Sequence, residues 1–202
     1  MKALENFLAL FSTEERSTTI ELLAQQFFIK KLWLAAGVQL TSGRKGELKY
    51  FLLDKQKRQQ YEAQFLVFAQ ATNSGCAYAF YKAPTTNNCD EWPILVLGDQ
   101  GGTVLLAQNI FELMQFWTLN TIQPYVNSIN CESFDFSIDS SDYETLEYLK
   151  NNPVIKDNEA YKNWIQTTFG LAPLANLEAA QKTIIEPASA RYQQEIDAIF
   201  YD

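Results

Sequence analysis

Apolar side chains recur along this 202-residue chain in blocks that predict helices and short strands. Near the amino terminus Ile20, Leu23 and Phe27 repeat at spacings of three and four, the inward stripe of an amphipathic helix, with Thr18 and Glu21 in capping-box positions. Gly37 supplies a stop for that helix, and residues 28–34 suit either its continuation or an extended segment. Residues 41–47, with Gly43 and Gly46 among Arg44 and Lys45, predict an exposed loop before the apolar run 50–53. Across residues 56–71, Tyr61, Phe65 and Phe68 fall at spacings of four and three, which predicts a second helix closed by Asn73, Ser74 and Gly75.

The densest pattern lies in residues 65–117. In residues 76–81 Ala77 and Ala79 alternate with Tyr78 and Phe80, a strand with one bulky face. Residues 94–97 are continuously apolar behind Pro93, as in a strand covered on both sides. Gly98, Gly101 and Gly102 form a structural turn into a third strand at 103–107, because glycine reaches positive φ at little steric cost. Asn109 then caps a helix, with Glu112 three residues on and a stripe of Ile110, Leu113, Met114 and Trp117. Beyond Pro124, Phe134, Phe136 and Ile138 alternate as in an edge strand. Helices follow at 142–151, at 157–169 with Gly170 as its stop, and at 176–200 with a break near Pro187.

At 47% hydrophobic and 14% aromatic, the chain can bury a sizeable core as a single domain over residues 1–202, with 65–117 as a hairpin-helix core and 142–202 as a helical extension. No apolar run approaches the roughly 18 residues of a membrane span, and Glu5 interrupts what would have to be a signal segment, so the expectation is a cytoplasmic protein with no membrane partner. Cys76, Cys89 and Cys131 are odd in number and widely separated, which signals neither a disulfide framework nor a zinc site and fits a reducing compartment.

Charge sharpens the picture. The net charge of −8 opposes nucleic-acid binding, whose affinity comes mainly from cations on phosphates. Residues 1–60 hold ten Lys or Arg against six acids, whereas residues 83–149, a 67-residue interval, hold ten carboxylates and no cation. That interval reads as a solvated acidic face or as a surface for a basic partner.

The absence of histidine removes Ser-His-Asp and Cys-His nucleophile arrangements together with histidine-bearing zinc sites. The dense acids Asp135, Asp139, Asp142 and Glu144 lack the glycine of a calcium loop. Neither Gly43 with Gly46 nor the turn at Gly98 has phosphate-binding spacing, and a strand rather than a helix follows the turn. No catalytic, cofactor or metal residue is selected. A carboxylate pair of the glycosidase kind remains an alternative, although no pair stands out.

The succession SGCAYAFYK, EWPILVLGDQGG and TVLLAQNIFELMQFW resembles the carboxy-terminal half of SUKH superfamily domains, which include fungal cell-wall assembly regulators and bacterial immunity proteins that neutralise polymorphic toxins. Ser74, Gly75, Pro93, Gly98, Gly102, Ala107, Phe111 and Phe116 sit where that pattern expects them. The family's amino-terminal signature, a Trp-Gly pair leading to Leu-Pro and paired glycines, is not found in residues 1–60, and residues 130–202 have no counterpart. The resemblance implies an α+β fold, an antiparallel or mixed sheet with flanking helices, that works by binding. On this reading the chain is an immunity protein meeting a basic toxin domain, with Asp90, Glu91, Asp99 and Glu132 as contact candidates because loops expose charge that sheet positions do not. The alternatives are an intracellular scaffold or regulatory module that binds a host protein or small ligand, and a carboxylate-dependent hydrolase.

Overall fold

The computed structural model describes residues 1–41, 47–72, 75–82, 86–98, 102–120, 125–126, 134–135 and 158–201. The fold is α+β. Its centre is a five-stranded antiparallel sheet in chain order: β1 (Gln39–Leu40), β2 (Phe65–Gln70), β3 (Ala77–Tyr81), β4 (Ile94–Leu97) and β5 (Thr103–Ala107). Around it lie helices α1 (Lys2–Leu8), α2 (Thr18–Phe28), α3 (Lys55–Tyr61), α4 (Ile110–Phe116) and α5 (Glu159–Phe169). The carboxy-terminal helix α6 joins Leu177–Ala180, a π-turn Gln181–Ile185 and Glu186–Phe200. A short pair, β6 (Tyr125–Val126) with β7 (Phe134–Asp135), stands apart from the sheet.

Period-two alternation on strands that are largely apolar makes the sheet two-sided. Tyr78, Phe80, Ile94, Val96 and Leu106 point into a large core with α1, α2, α4 and α5. Ala79, Tyr81, Leu95, Leu97 and Leu105 point the other way, beneath Leu48, Leu52 and the last part of α6. Helix α6 serves both sides: Ala180, Ile184 and Ile185 enter the first core, whereas Ala188, Ile196 and Ile199 enter the second. The crossover coincides with the π-turn, whose extra residue rotates the downstream apolar stripe by roughly 100°, one residue of helical rotation. There α6 passes the open edge of β5, and Gln193 takes the Leu105 N–H (3.0 Å) and donates to the Thr103 carbonyl (3.4 Å). Side chains of a helix thus satisfy backbone groups that would otherwise recruit a foreign strand.

Three expectations from the sequence are corrected. Residues 56–71 are not one helix: α3 ends at Tyr61, a turn spans Glu62–Gln64, and β2 begins at Phe65. The four-and-three spacing is satisfied by coincidence, because a bulge between Val67 and Ala69 seats Phe68 against Phe80 with ring centroids 4.2 Å apart. Helix α2 is capped by Ser17, one residue before Thr18, and Ser17 Oγ accepts the Ile20 N–H at 3.1 Å. It ends at Phe28, so Gly37 is not its stop; Lys31, at φ 56°, helps turn the chain out of the helix, and residues 29–36 are neither helix nor strand. The break expected near Pro187 takes the form of the π-turn: α-helical bonding stops at Ala180 and resumes at Glu186, with Pro187 in the opening turn of that last segment. Proline cannot donate to Thr183 one turn back, and the π-turn absorbs that loss while the helix continues.

The hairpin and the helix after it agree with the sequence reading. Gly98 N–H donates to the Gly102 carbonyl at 2.9 Å, and Gly102 holds φ 85°, where a side chain would be strained. Asn109 caps α4 by accepting the Glu112 N–H at 2.9 Å, and Gly170 closes α5 at φ 71°. Gly101, the expected helix at 142–151 and Phe136 with Ile138 of the expected edge strand lie outside the described residues. Among the described residues no helix is long and apolar enough to cross a membrane.

Candidate functional site

The β3–β4 connection carries the only two contact candidates that the structure describes. Its turn, Cys89–Glu91, is capped by Asn88, whose Oδ1 accepts the Asp90 N–H at 3.1 Å. Asp90 then faces the start of α2: Oδ1 accepts the Ser17 hydroxyl at 2.5 Å and Oδ2 accepts the Thr19 hydroxyl at 2.8 Å. A carboxylate at a helix amino terminus is stabilised by the dipole and by such donors, so Asp90 is a brace between two segments. Glu91 beside it is exposed, and its contact is with the Asn88 amide at 3.3 Å. Asp99 and Glu132 lie outside the described residues.

Further contacts extend the brace. Lys82 reaches Glu15 at 2.7 Å and also lies 5.2 Å from the centre of the Trp92 ring. Cys89 donates its backbone N–H to the Glu15 carbonyl at 3.3 Å, and its buried thiol sits 3.4 Å from Ser17 Oγ. Burial raises the Cys89 thiol pKa, against the lowering effect of Ser17, which leaves it a poor nucleophile. Among the described residues no group of three His, Cys, Asp or Glu side chains could hold a metal ion.

Burial by itself would raise the Glu15 pKa, but the Lys82 hydrogen bond and charge together with the Ser12 N–H outweigh it and hold the carboxyl below its ordinary value of 4.5. The native state therefore takes up this proton less readily than the unfolded chain. The Glu15–Lys82 contribution is present above about pH 4.5 and is lost as pH falls through the lower native value. Glu112 acts in the opposite sense, because burial outweighs the hydrogen bonds from Gln108 and Asn109 and raises its pKa, so protonation relieves it as pH falls. Urea titrations should show Lys82→Met losing at most about 1 kcal/mol at pH 7 and the difference from the parent shrinking below about pH 4. An undiminished difference in acid would count against the Glu15 assignment.

Spatial proximity alone reveals a second polar cluster. Asn120 and Asn158 adopt left-handed backbone, at φ 51° and 47°. Asn120 accepts the Trp33 indole N–H at 3.1 Å, and its carbonyl accepts the Ala36 N–H at 3.3 Å. Buried Asn158 donates to the Leu34 carbonyl at 2.6 Å and to the Trp117 carbonyl at 3.3 Å. These bonds pin the loop after α2 to the end of α4. Tyr81 donates to Glu195 on the other face, tying α6 to β3.

No family model, curated protein or solved structure matches this chain.

The arrangement suits presentation of a rigid surface. The carboxylates of Glu15, Asp54, Asp90 and Glu112 accept bonds from backbone or side-chain donors within the fold, and Glu91 is the described candidate that projects outward. Tyr78 and Tyr161 are enclosed, and burial pushes both hydroxyls above their ordinary range, so they stay neutral. Charge and loop position select Asp90 and Glu91 in the sequence; no local signal could show that the first is braced and the second is free to reach outward.

Proposed function

We propose that this chain is a non-catalytic binding protein of the immunity type, neutralising a basic toxin domain by protein–protein contact. The observation that carries the reading is the 67-residue interval, residues 83–149, with ten carboxylates and no cation. Glu91, within that interval, is held out on a turn fastened to α2 through Asp90. A turn fastened in this way loses little ordering entropy on contact, and an excess of carboxylates raises the encounter rate with a basic partner. The SUKH-like pattern in residues 65–117 supports the same class of activity on sequence grounds.

The test is a binding titration against a toxin domain encoded beside this gene. Affinity should fall as salt rises from about 0.05 to 0.5 M, as screening requires. Glu91→Lys should slow association about tenfold while dissociation changes little. Salt-independent affinity, or no binding to any such domain, would reject the proposal.

A further inference from the structure

The segment between β1 and β2 carries a feature of opposite character to the acidic interval. Leu48 and Leu52, one helical turn apart, are buried against the second face of the sheet and fix the orientation of the residues between and after them. Tyr50 is consequently 64% exposed and Leu53 81% exposed, which leaves their apolar surface open to a partner. Cations lie close to them in the chain. Lys49 Nζ lies 4.9 Å from the centre of the Tyr50 ring, Arg58 donates to the Leu52 carbonyl at 3.4 Å, and α3 adds Lys55 and Lys57. Among the described residues none of these four cations is in an ion pair. The acid within the group, Asp54, accepts the backbone N–H groups of Gln56 and Lys57 at 2.7 and 2.9 Å as the cap of α3, which occupies one of its oxygens locally.

We infer that this patch docks the protein on an anionic membrane surface, with Tyr50 and Leu53 entering the headgroup boundary and Lys49, Lys55, Lys57 and Arg58 meeting lipid phosphates. The association is peripheral, departs from the expectation of no membrane partner that the lack of a spanning run suggested, and is independent of the acidic-surface reading, since it uses a different element. An exposed leucine and tyrosine with cations close by in the chain is the composition that interfacial binding uses. Protein interfaces, by contrast, are depleted in lysine at their centres, and three of these four cations are lysines. The net charge of −8 is no bar at contact, because at about 0.15 M salt fields decay over roughly 8 Å and the local cations dominate.

Vesicle co-sedimentation of the full chain decides it. Vesicles of phosphatidylcholine with about 30% phosphatidylserine should retain the protein at about 0.1 M salt, and pure phosphatidylcholine vesicles should not. Leu53→Ser, and separately Lys49→Gln with Lys55→Gln and Lys57→Gln, should each lower the bound fraction at least about fivefold. These positions are outside the core, and unchanged far-ultraviolet circular dichroism establishes that the variants fold. Failure to sediment with either vesicle, or retention indifferent to both variants, overturns the inference. So does tighter binding to poly-L-glutamate than to the vesicles, which would assign the patch to an acidic polypeptide. A dimer in sedimentation velocity that Leu53→Ser dissolves, without vesicle binding, would assign it to a second copy of the chain and equally overturn the inference.

Discussion

Phe80→Ala is expected to lower folding stability by about 4 kcal/mol, because the lost ring contacts and the cavity left behind add together. The ring is fully buried at the centre of the first core. It stacks on Phe68 with centroids 4.2 Å apart and meets Phe11 and Trp92 edge-on at 6.0 and 5.9 Å. Removing it costs the transfer free energy of the ring, leaves a cavity that three aromatic neighbours on β2, the α1–α2 connection and the β3–β4 connection cannot easily close, and forfeits the stacking preference. For a chain of this length the midpoint of thermal unfolding should fall by roughly 12 °C. Urea titration measures the loss directly, and an unchanged slope would show that the native fold persists. A loss under about 1 kcal/mol would mean that the aromatic cluster is not the packed centre of the fold. Tyr50→Ala, which removes a mostly exposed ring, is the contrast and should change stability by no more than about 0.5 kcal/mol.

Asn158→Ala should cost about 2 to 3 kcal/mol by a different route. The side chain is buried and supplies N–H groups to the Leu34 and Trp117 carbonyls, so alanine leaves both acceptors without that donor. Alanine also tolerates the left-handed backbone at this position poorly. Asn158→Gly separates the two terms: it relieves the backbone strain but still lacks the donor, and should be about 1 kcal/mol more stable than the alanine variant. Hydrogen exchange at residues 29–38 should rise in both variants, because this loop has few backbone bonds of its own and depends on Asn120 and Asn158. Equal stability of parent and alanine variant would mean that the asparagine pair does not hold the loop.

Much of the centre was legible because its determinants are local. The glycines at 98 and 102, the Asn109 cap and the continuous apolar run at 94–97 act within a few residues of one another, and the structure places a hairpin and a helix there. The same locality explains the misreading of β2. Tyr61, Phe65 and Phe68 meet a helical spacing, yet the residues from Phe65 onward gain more by pairing with β3 and stacking across it than by completing a helix turn. The candidate site was half legible. Loop position and charge singled out Asp90 and Glu91, but the hydroxyls that hold Asp90 belong to Ser17 and Thr19, 73 and 71 residues away. The capping residue of α2 was displaced by one for a related reason, since Ser17 binds both the helix and Asp90.

Residue order by itself determined the α+β character, the glycine turn with its flanking strands, the cap of α4, the lack of imidazole and the segregation of charge, all of which depend on composition or on contacts a few positions apart. Tertiary structure alone decided that 65–70 pairs as a strand, that Asp90 is a brace while Glu91 is exposed, and that one helix covers both faces by crossing the β5 edge. Those outcomes come from partners far apart in the chain, whose meeting depends on how the whole apolar surface is buried, and no short-range spacing encodes it.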